Sequence, residues 1–428
     1  MKERFIKSTI ILVIGGLITK ILAMVIRIII TRTIGTEGIG LYMMVMPTFT
    51  LFVTISSLSL TTSISKVVAE DNRNNRNVVF GVVPVAMIFN VIVVLFIIIC
   101  APFIANRLLQ NNDLYYPLLA TGLTLPFITL SSIARGYFFG KQKMIPHVTS
   151  NVVEQIIRII VIMLVTPFLL KQGIIYAVTG LILLNILSEL ASIIVLFLFL
   201  PRRFKLNKND LKYNESYIKD TFAISIPTTM GRLISSVGLF LEPIVITFVF
   251  LKLGYNTFEI TMNYGIISGY VLPMVAMPSF LSGAISSALL PVVTKYYEEK
   301  KINHLKNKIK QAIFLSLLVG IPFTIIMILF PEFCLNVLFN TNEGINLLRI
   351  AAPIYLIAYI EGPLVSSLHA MNKSNTVLLS SVIGNIIKIV VLFITSYFNI
   401  GMLSLLIAYL FYLLYITIHQ IIAVKKLV

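Results

Sequence analysis

The chain has 428 residues, of which 58% are apolar and only 12% charged, with a mean hydropathy of +0.96 and a formal net charge of +17. A water-soluble core of this size would leave far more charge on its surface, so the composition excludes a soluble protein. So basic a balance would point to nucleic acid in a soluble chain; here membrane orientation and anionic lipid headgroups account for it, and no nucleic-acid partner is expected.

Apolar runs long enough to cross a hydrocarbon core of ~30 Å recur from end to end. The first, about Thr9 to Ile30, is too long for a signal-peptide core and has no small-residue cleavage site after it, so it reads as a retained helix. About twelve spans are expected in chain order: 8–31, 41–68, 78–103, 114–138, 145–169, 173–200, 219–250, 262–293, 307–330, 345–370, 375–398 and 401–424. With both termini cytoplasmic, and charges within a few residues of a span end assigned to the flanking side, Arg32, Arg107, Lys171, Lys252 and Arg349 are expected outside, while Lys20, Arg27, Lys66, Arg158, Arg232 and Lys388 fall within spans. The remaining basic residues are cytoplasmic, as the positive-inside rule requires. The fold class is therefore an all-α polytopic membrane protein.

The longest polar connection, "PRRFKLNKNDLKYNESYIKD" at 201–220, divides the spans six and six. It gives an N-terminal lobe at 1–200, a basic cytoplasmic linker at 201–218 and a C-terminal lobe at 219–428. An internal repeat relates the lobes: at an offset of 230, Phe103 and Asn106 fall on Phe333 and Asn336. Without a gap the same offset puts Lys143 on Lys373, Ser150 on Ser380, Ile156 on Ile386, Val161 on Val391 and Phe168 on Phe398. Arg158 falls on Lys388, so "GNIIKIV" is a second copy of "EQIIRII". Each copy holds an even number of spans and enters the membrane in the same sense. Two pseudo-symmetric six-helix lobes around a central cleft follow, with substrate expected at the repeat interface.

A charge at the bilayer centre costs at least ~2.5 kcal/mol, so each ion within a span needs a partner or a watery cavity. Glu154 and Arg158 stand at i and i+4 with Glu nearer the N-terminus, the favourable order. They either neutralise one another or belong to the mechanism. Glu361 and Lys388, at similar depth on consecutive helices, are expected to pair likewise. Lys20 and Arg27 share one face of the first helix, separated by roughly 10 Å along the axis. Arg232 lies in "PTTMGRLISS", a Thr, Gly and Ser stretch that reads as cavity lining, with Glu242 ten residues on. A basic ladder on a cleft wall suits an anionic headgroup. The alternative is that these cations snorkel, or pair with Glu189 or Glu242. Gly15, Gly16, Pro47, Pro227, Pro273 and Pro278 are the expected bending points.

No enzyme signature stands beside these charges. There is no Walker loop, HExxH or G-x-S-x-G, and "GGLITK" at 15–20 has the wrong spacing for a phosphate loop. No catalytic residue, metal site or cofactor is expected, and Cys100 and Cys334 read as apolar filler. His147, His304, His369 and His419 are scattered; His369, eight residues beyond Glu361, reads as a proton relay or as a plain polar residue.

"ARGYFFGKQKMIPHVTSNVVEQIIRII" at 134–160 resembles a signature of the stage V sporulation protein B-like polysaccharide exporters, and "GGLITKILAMVIRIIITRTIGTEGIGLYMMVMP" at 15–47 and "GRLISSVGLFLEPIVI" at 231–246 resemble matching segments. The resemblance covers essentially the whole chain and extends to the multidrug, oligosaccharidyl-lipid and polysaccharide exporter (MOP) superfamily and its MurJ-type lipid II flippases. It implies alternating access by two lobes in a bacterial cytoplasmic membrane. The cargo it implies is an undecaprenyl-pyrophosphate-linked glycan, a lipid II-type precursor serving the spore cortex, moved to the outer leaflet. It further implies a monomer among membrane lipids and cell-wall synthesis enzymes.

In the flippases cationic residues of the first helix matter; Lys20 and Arg27 occupy the comparable stretch, with Lys20 where the family usually shows Arg. Lys lacks the planar fork that grips two phosphate oxygens, so a looser grip is implied. The pyrophosphate is then expected on Lys20, Arg27 and Arg232, with Glu154, Arg158, Glu189, Glu242, Glu361 and Lys388 as cleft ion pairs or coupling groups. With no nucleotide site, the driving force is a Na+ or H+ gradient, the membrane potential or consumption of product outside. Two other readings stand: a multidrug antiporter of cations built on Glu154, Glu189, Glu242 and Glu361, and a membrane glycan polymerase or ligase, against which the short outer connections count.

Overall fold

In hydrocarbon a backbone amide has no water to bond, so apolar runs of this length must close their own hydrogen bonds as helices. The computed structural model describes the backbone of residues 2–70, 75–200 and 215–428 and the side chains of residues 11–70, 78–200 and 218–428; all of its regular structure is helical. Ten described helices are long and apolar enough to cross a membrane, and a bent pair, Thr257–Ala276 with Ser279–Glu298, makes an eleventh. The first of the ten, Ile11–Ala69, is 59 residues long, about 90 Å at 1.5 Å per residue, and holds two of the expected spans.

The division within that first element lies at Gly35, inside α1 (Lys2–Ser57), where φ is 65° and ψ −171°. Only glycine reaches this region without strain. Gly15 and Gly16, expected to bend α1, keep helical geometry. α2 (Leu60–Ala69) follows a second break at Leu58 and Ser59, both at positive φ. The carbonyl of Leu58 is not left bare: Ser225 Oγ, on α7 (Glu215–Lys252), donates to it. A broken helix is tolerated at membrane depth when a neighbour satisfies the freed group in this way.

α3 (Asn75–Phe103), α4 (Tyr115–Gly140), α5 (Met144–Leu170) and α6 (Ile174–Leu198) follow in the first unit. A buried polar knot ties three of its helices. Ser56 Oγ donates to Asn90 Oδ1 at 2.6 Å and lies 2.9 Å from Thr129 Oγ1, while Asn90 Nδ2 donates to the Ala86 carbonyl at 2.8 Å.

Beyond α7 come α8 (Thr257–Gly265), a π-helical turn (Ile266–Val271), α9 (Leu272–Ala276) and α10 (Ser279–Glu298). The chain bends by 47° before α10, at Pro278, one of the expected bending points. Tyr359 Oη donates to the carbonyl of Val275 beside this bend at 2.6 Å, repeating the device used at Leu58. α11 (Ile302–Leu329), α12 (Pro331–Phe339), α13 (Ile345–Leu356), α14 (Ala358–Ala370), α15 (Ser374–Ser396) and α16 (Leu403–Leu427) follow.

Contacts divide the chain into two compact units, Met1–Phe240 and Leu241–Val428. The division falls inside α7 because its first half is bonded into the first unit, through Ser225 and through Ser236 Oγ, 2.9 Å from Thr54 Oγ1. The linker expected at 201–218 lies almost wholly outside the described residues. Each unit has its own apolar core, one around Leu60, Ile64, Val78 and Phe138, the other around Leu289, Leu305, Ile309 and Leu368. Large apolar side chains also cover the outside, Leu198 at 79% exposure and Ile99 at 74%, as a lipid-facing surface requires.

Candidate functional site

Two buried polar networks, one in each unit, hold Glu154, Arg158, Glu189, Glu242 and Lys388 of the charges that the sequence singles out. In the first, the i,i+4 spacing on α5 lays Arg158 over Glu154, and Arg158 Nη2 donates to Glu154 Oε1 at 3.0 Å. Arg158 Nε also reaches Ser188 Oγ on α6 at 3.3 Å. A second guanidinium, Arg135 of α4, donates to Glu154 Oε2 at 2.5 Å and to Ser192 Oγ at 2.9 Å, and lies 3.7 Å from Glu189 Oε2. Two buried carboxylates thus meet two guanidinium groups and the cluster is formally neutral, which is what low dielectric demands.

Arg135 is the member that sequence reasoning missed, because it stands near the end of its span and passes for a cytoplasmic flanking charge. A signal was present: Glu154 and Glu189 are two acids, and Arg158 alone leaves one of them without a counter-charge.

In the second unit the pairing expected between Glu361 and Lys388 does not occur. Lys388 Nζ lies 2.8 Å from Glu242 Oε2, and both side chains are almost fully buried. One turn before Lys388 stands Gly384, where the first copy has Glu154, so α15 offers no acid of its own and α7 supplies it. Glu242 collects three donors in all, with Tyr264 Oη at 3.2 Å on Oε1 and Tyr409 Oη at 3.3 Å on Oε2. The Lys388 ammonium also sits 4.9 Å above the Tyr409 ring, a cation–π contact.

The three cations expected to hold pyrophosphate all belong to the first unit. Lys20 is exposed and lines a cavity of about 220 Å³ with Gly15, Gly16 and Thr19 of α1 and His147 and Asn151 of α5. Arg27 is half-buried; its Nη2 lies 3.1 Å from Met43 Sδ, and Tyr42 is within electrostatic reach of both Arg27 and Arg158. Arg232 is exposed on α7, one turn before Ser236. Glu361 stands apart from both networks: among the described residues it has no ion pair or hydrogen bond. It lines a cavity of about 450 Å³ between α10 and α14, with Ser286, Ser287, Gly362, Ser366 and His369. Among the described residues no group of three His, Cys, Asp or Glu side chains could hold a metal ion.

Long apolar helices broken at glycine and proline, with neutralised charge buried inside each unit, define a multi-pass membrane protein, and its fold is that of the MOP superfamily. It matches an inward-facing multidrug resistance MATE family transporter of that superfamily with a TM-score of 0.73, over 96% of this chain and 95% of the other, at 14% identity, a likeness of fold. By sequence the chain belongs to the family described as "Polysaccharide biosynthesis protein", matched over residues 5–297, and residues 268–394 also match MatE. Stage V sporulation protein B of Bacillus subtilis (strain 168) is 33% identical over 405 residues, 92% of this chain and 78% of that protein. Lipid II flippase MurJ of the same organism is 23% identical over 420 residues, 91% of this chain and 77% of that one.

Proposed function

We propose that this protein is a flippase that moves an undecaprenyl-pyrophosphate-linked glycan, of lipid II type, from the cytoplasmic to the outer leaflet of a bacterial cytoplasmic membrane, with both termini cytoplasmic. The observation that carries the reading is how the charges are disposed. Three of the four acids that a cation antiporter would need, Glu154, Glu189 and Glu242, have cations against them, whereas Lys20 faces an open cavity. An anionic headgroup finds its counter-charge on Lys20, Arg27 and Arg232, and the prenyl tail stays in lipid. An inside-negative potential drives such a headgroup outward by ~2.3 kcal/mol per charge per 100 mV. The relative named as a lipid II flippase supports the same cargo class.

The test is native mass spectrometry of the purified protein titrated with lipid II, wild type against Lys20→Ala/Arg27→Ala. Selective binding over other anionic lipids, lost in the double variant, is the expected result. Equal binding of lipid II and phosphatidylglycerol by the wild type would refute the reading.

A further inference from the structure

The cavity between α10 and α14 is walled by apolar Leu290, Ala358 and Val365, and its polar lining is Glu361, three serine hydroxyls and His369, whose Nδ1 lies 2.9 Å from Ser374 Oγ. Ser286 Oγ donates to the Ser282 carbonyl at 2.7 Å, Ser287 Oγ to the Gly283 carbonyl at 2.9 Å and Ser366 Oγ to the Ser286 carbonyl at 2.6 Å. A carbonyl oxygen can only accept, so each hydroxyl spends its proton on the backbone and offers the cavity only lone pairs. Glu361 adds a carboxylate that has no cation against it among the described residues. The serine oxygens of this cavity therefore accept hydrogen bonds, and Glu361 sets a negative charge among them. An ionisable group without a partner inside a span is a reason to look for a ligand.

Size narrows the ligand. A divalent metal ion wants about six to eight oxygens at close range, and one carboxylate with three hydroxyls spread around about 450 Å³ makes no such cage. The volume falls within the ~300–1,000 Å³ usual for organic ligands. Gly362 helps to keep it open: a Cβ there would stand 2.7 Å from Ser286 Oγ. Tyr355 and Tyr412 are within electrostatic range of Glu361. Lys388 lies 5.8 Å over the Tyr412 ring and is already neutralised by Glu242.

We infer that this cavity binds a primary ammonium group, with Glu361 as counter-charge and the Ser286, Ser287 and Ser366 oxygens as acceptors. The ammonium comes either from an amine on the glycan headgroup, which rests on the function proposed above and makes that cargo zwitterionic, or from a free organic amine.

Two measurements on the full-length protein separate these sources. In the first, thermal melts in detergent with millimolar benzylammonium should show a stabilised wild type and no shift for Glu361→Gln. Gly362→Ala should lose most of the shift while remaining monodisperse. In the second, lipid II with its free amine intact should bind the wild type about tenfold more tightly than amine-acetylated lipid II, the weight of one charge-assisted hydrogen bond. Glu361→Gln should bind both forms alike, and Lys20→Ala/Arg27→Ala should weaken both while keeping their ratio. A benzylammonium shift without discrimination between the lipids supports the ammonium site and assigns it to free amines. No shift together with no discrimination overturns the ammonium site and leaves the flippase reading standing. Failure of the wild type to bind either lipid sinks the flippase reading, while the benzylammonium melts still decide the site.

Discussion

Arg158 and Lys388 occupy the same place in the two copies of the repeat, yet they are neutralised in different ways. Arg158 takes its acid from one turn earlier on its own helix and shares it with Arg135, and these two side chains keep 23% and 18% of their exposure. Lys388 takes its acid from a helix 146 residues away and keeps 2%. A repeat therefore preserves the position of a charge more faithfully than the identity of its partner. The energetic consequence is unequal, because a stranded ion costs more where water cannot reach it.

The largest effect should come from breaking the second network. Glu242→Ala leaves Lys388 buried without a counter-charge and should lower stability by about 3–5 kcal/mol in detergent unfolding. Glu242→Leu/Lys388→Met, which removes both charges, should return most of that. Glu154→Ala should cost less, about 1–3 kcal/mol, since Arg158 and Arg135 both retain access to water; a loss equal to that of Glu242→Ala would overturn the contrast. Adding Gly384→Glu to Glu242→Ala supplies the acid that the first copy has, but it should not rescue. A Cβ at 384 meets Ile416 Cγ1 at 2.9 Å, and such overpacking costs a further ~1–3 kcal/mol.

Lys20→Ala lies outside both networks. It should leave stability within about 0.5 kcal/mol while weakening lipid II binding roughly tenfold; unchanged binding would remove Lys20 from the site. The smallest effect belongs to the surface pair Glu299 and Lys301, 2.8 Å apart between α10 and α11. The hydrogen bond from Lys301 holds the Glu299 carboxyl below its ordinary 4.5, so its contribution is present above that value and fades as pH falls through the lowered one. The same bond raises Lys301 above 10.5, so its share is present below that value and fades as pH rises through the raised one. Melts of Glu299→Gln and wild type at pH 6 and pH 9 should therefore differ by the same small amount.

What the sequence discloses divides along the same line. Helical spans, the i,i+4 pair on α5 and the bend at Pro278 are local, written in hydropathy, spacing and proline geometry. Arg135 with Glu154, and Glu242 with Lys388, depend on which helices lie side by side, and periodicity within a helix carries no record of that. The expectation that Glu361 would neutralise Lys388 came from similar depth on consecutive helices, and order along the chain does not fix which side chains face one another. Depth is shared by every helix in a membrane, whereas a partner must also be adjacent.

The break at Gly35 has a mechanical meaning. Two apolar segments of α1 are joined there by one residue instead of a loop, so their relative rotation is set by a single pair of torsion angles. One residue inserted beside Gly35 adds only about 1.5 Å of length but turns everything before it by about 100° about the axis. Lys20 and Arg27 would then face another quarter of the compass with every helical hydrogen bond intact. This joint behaves as a keyed coupling between two shafts, tolerant of changes in surface chemistry and intolerant of changes in residue count.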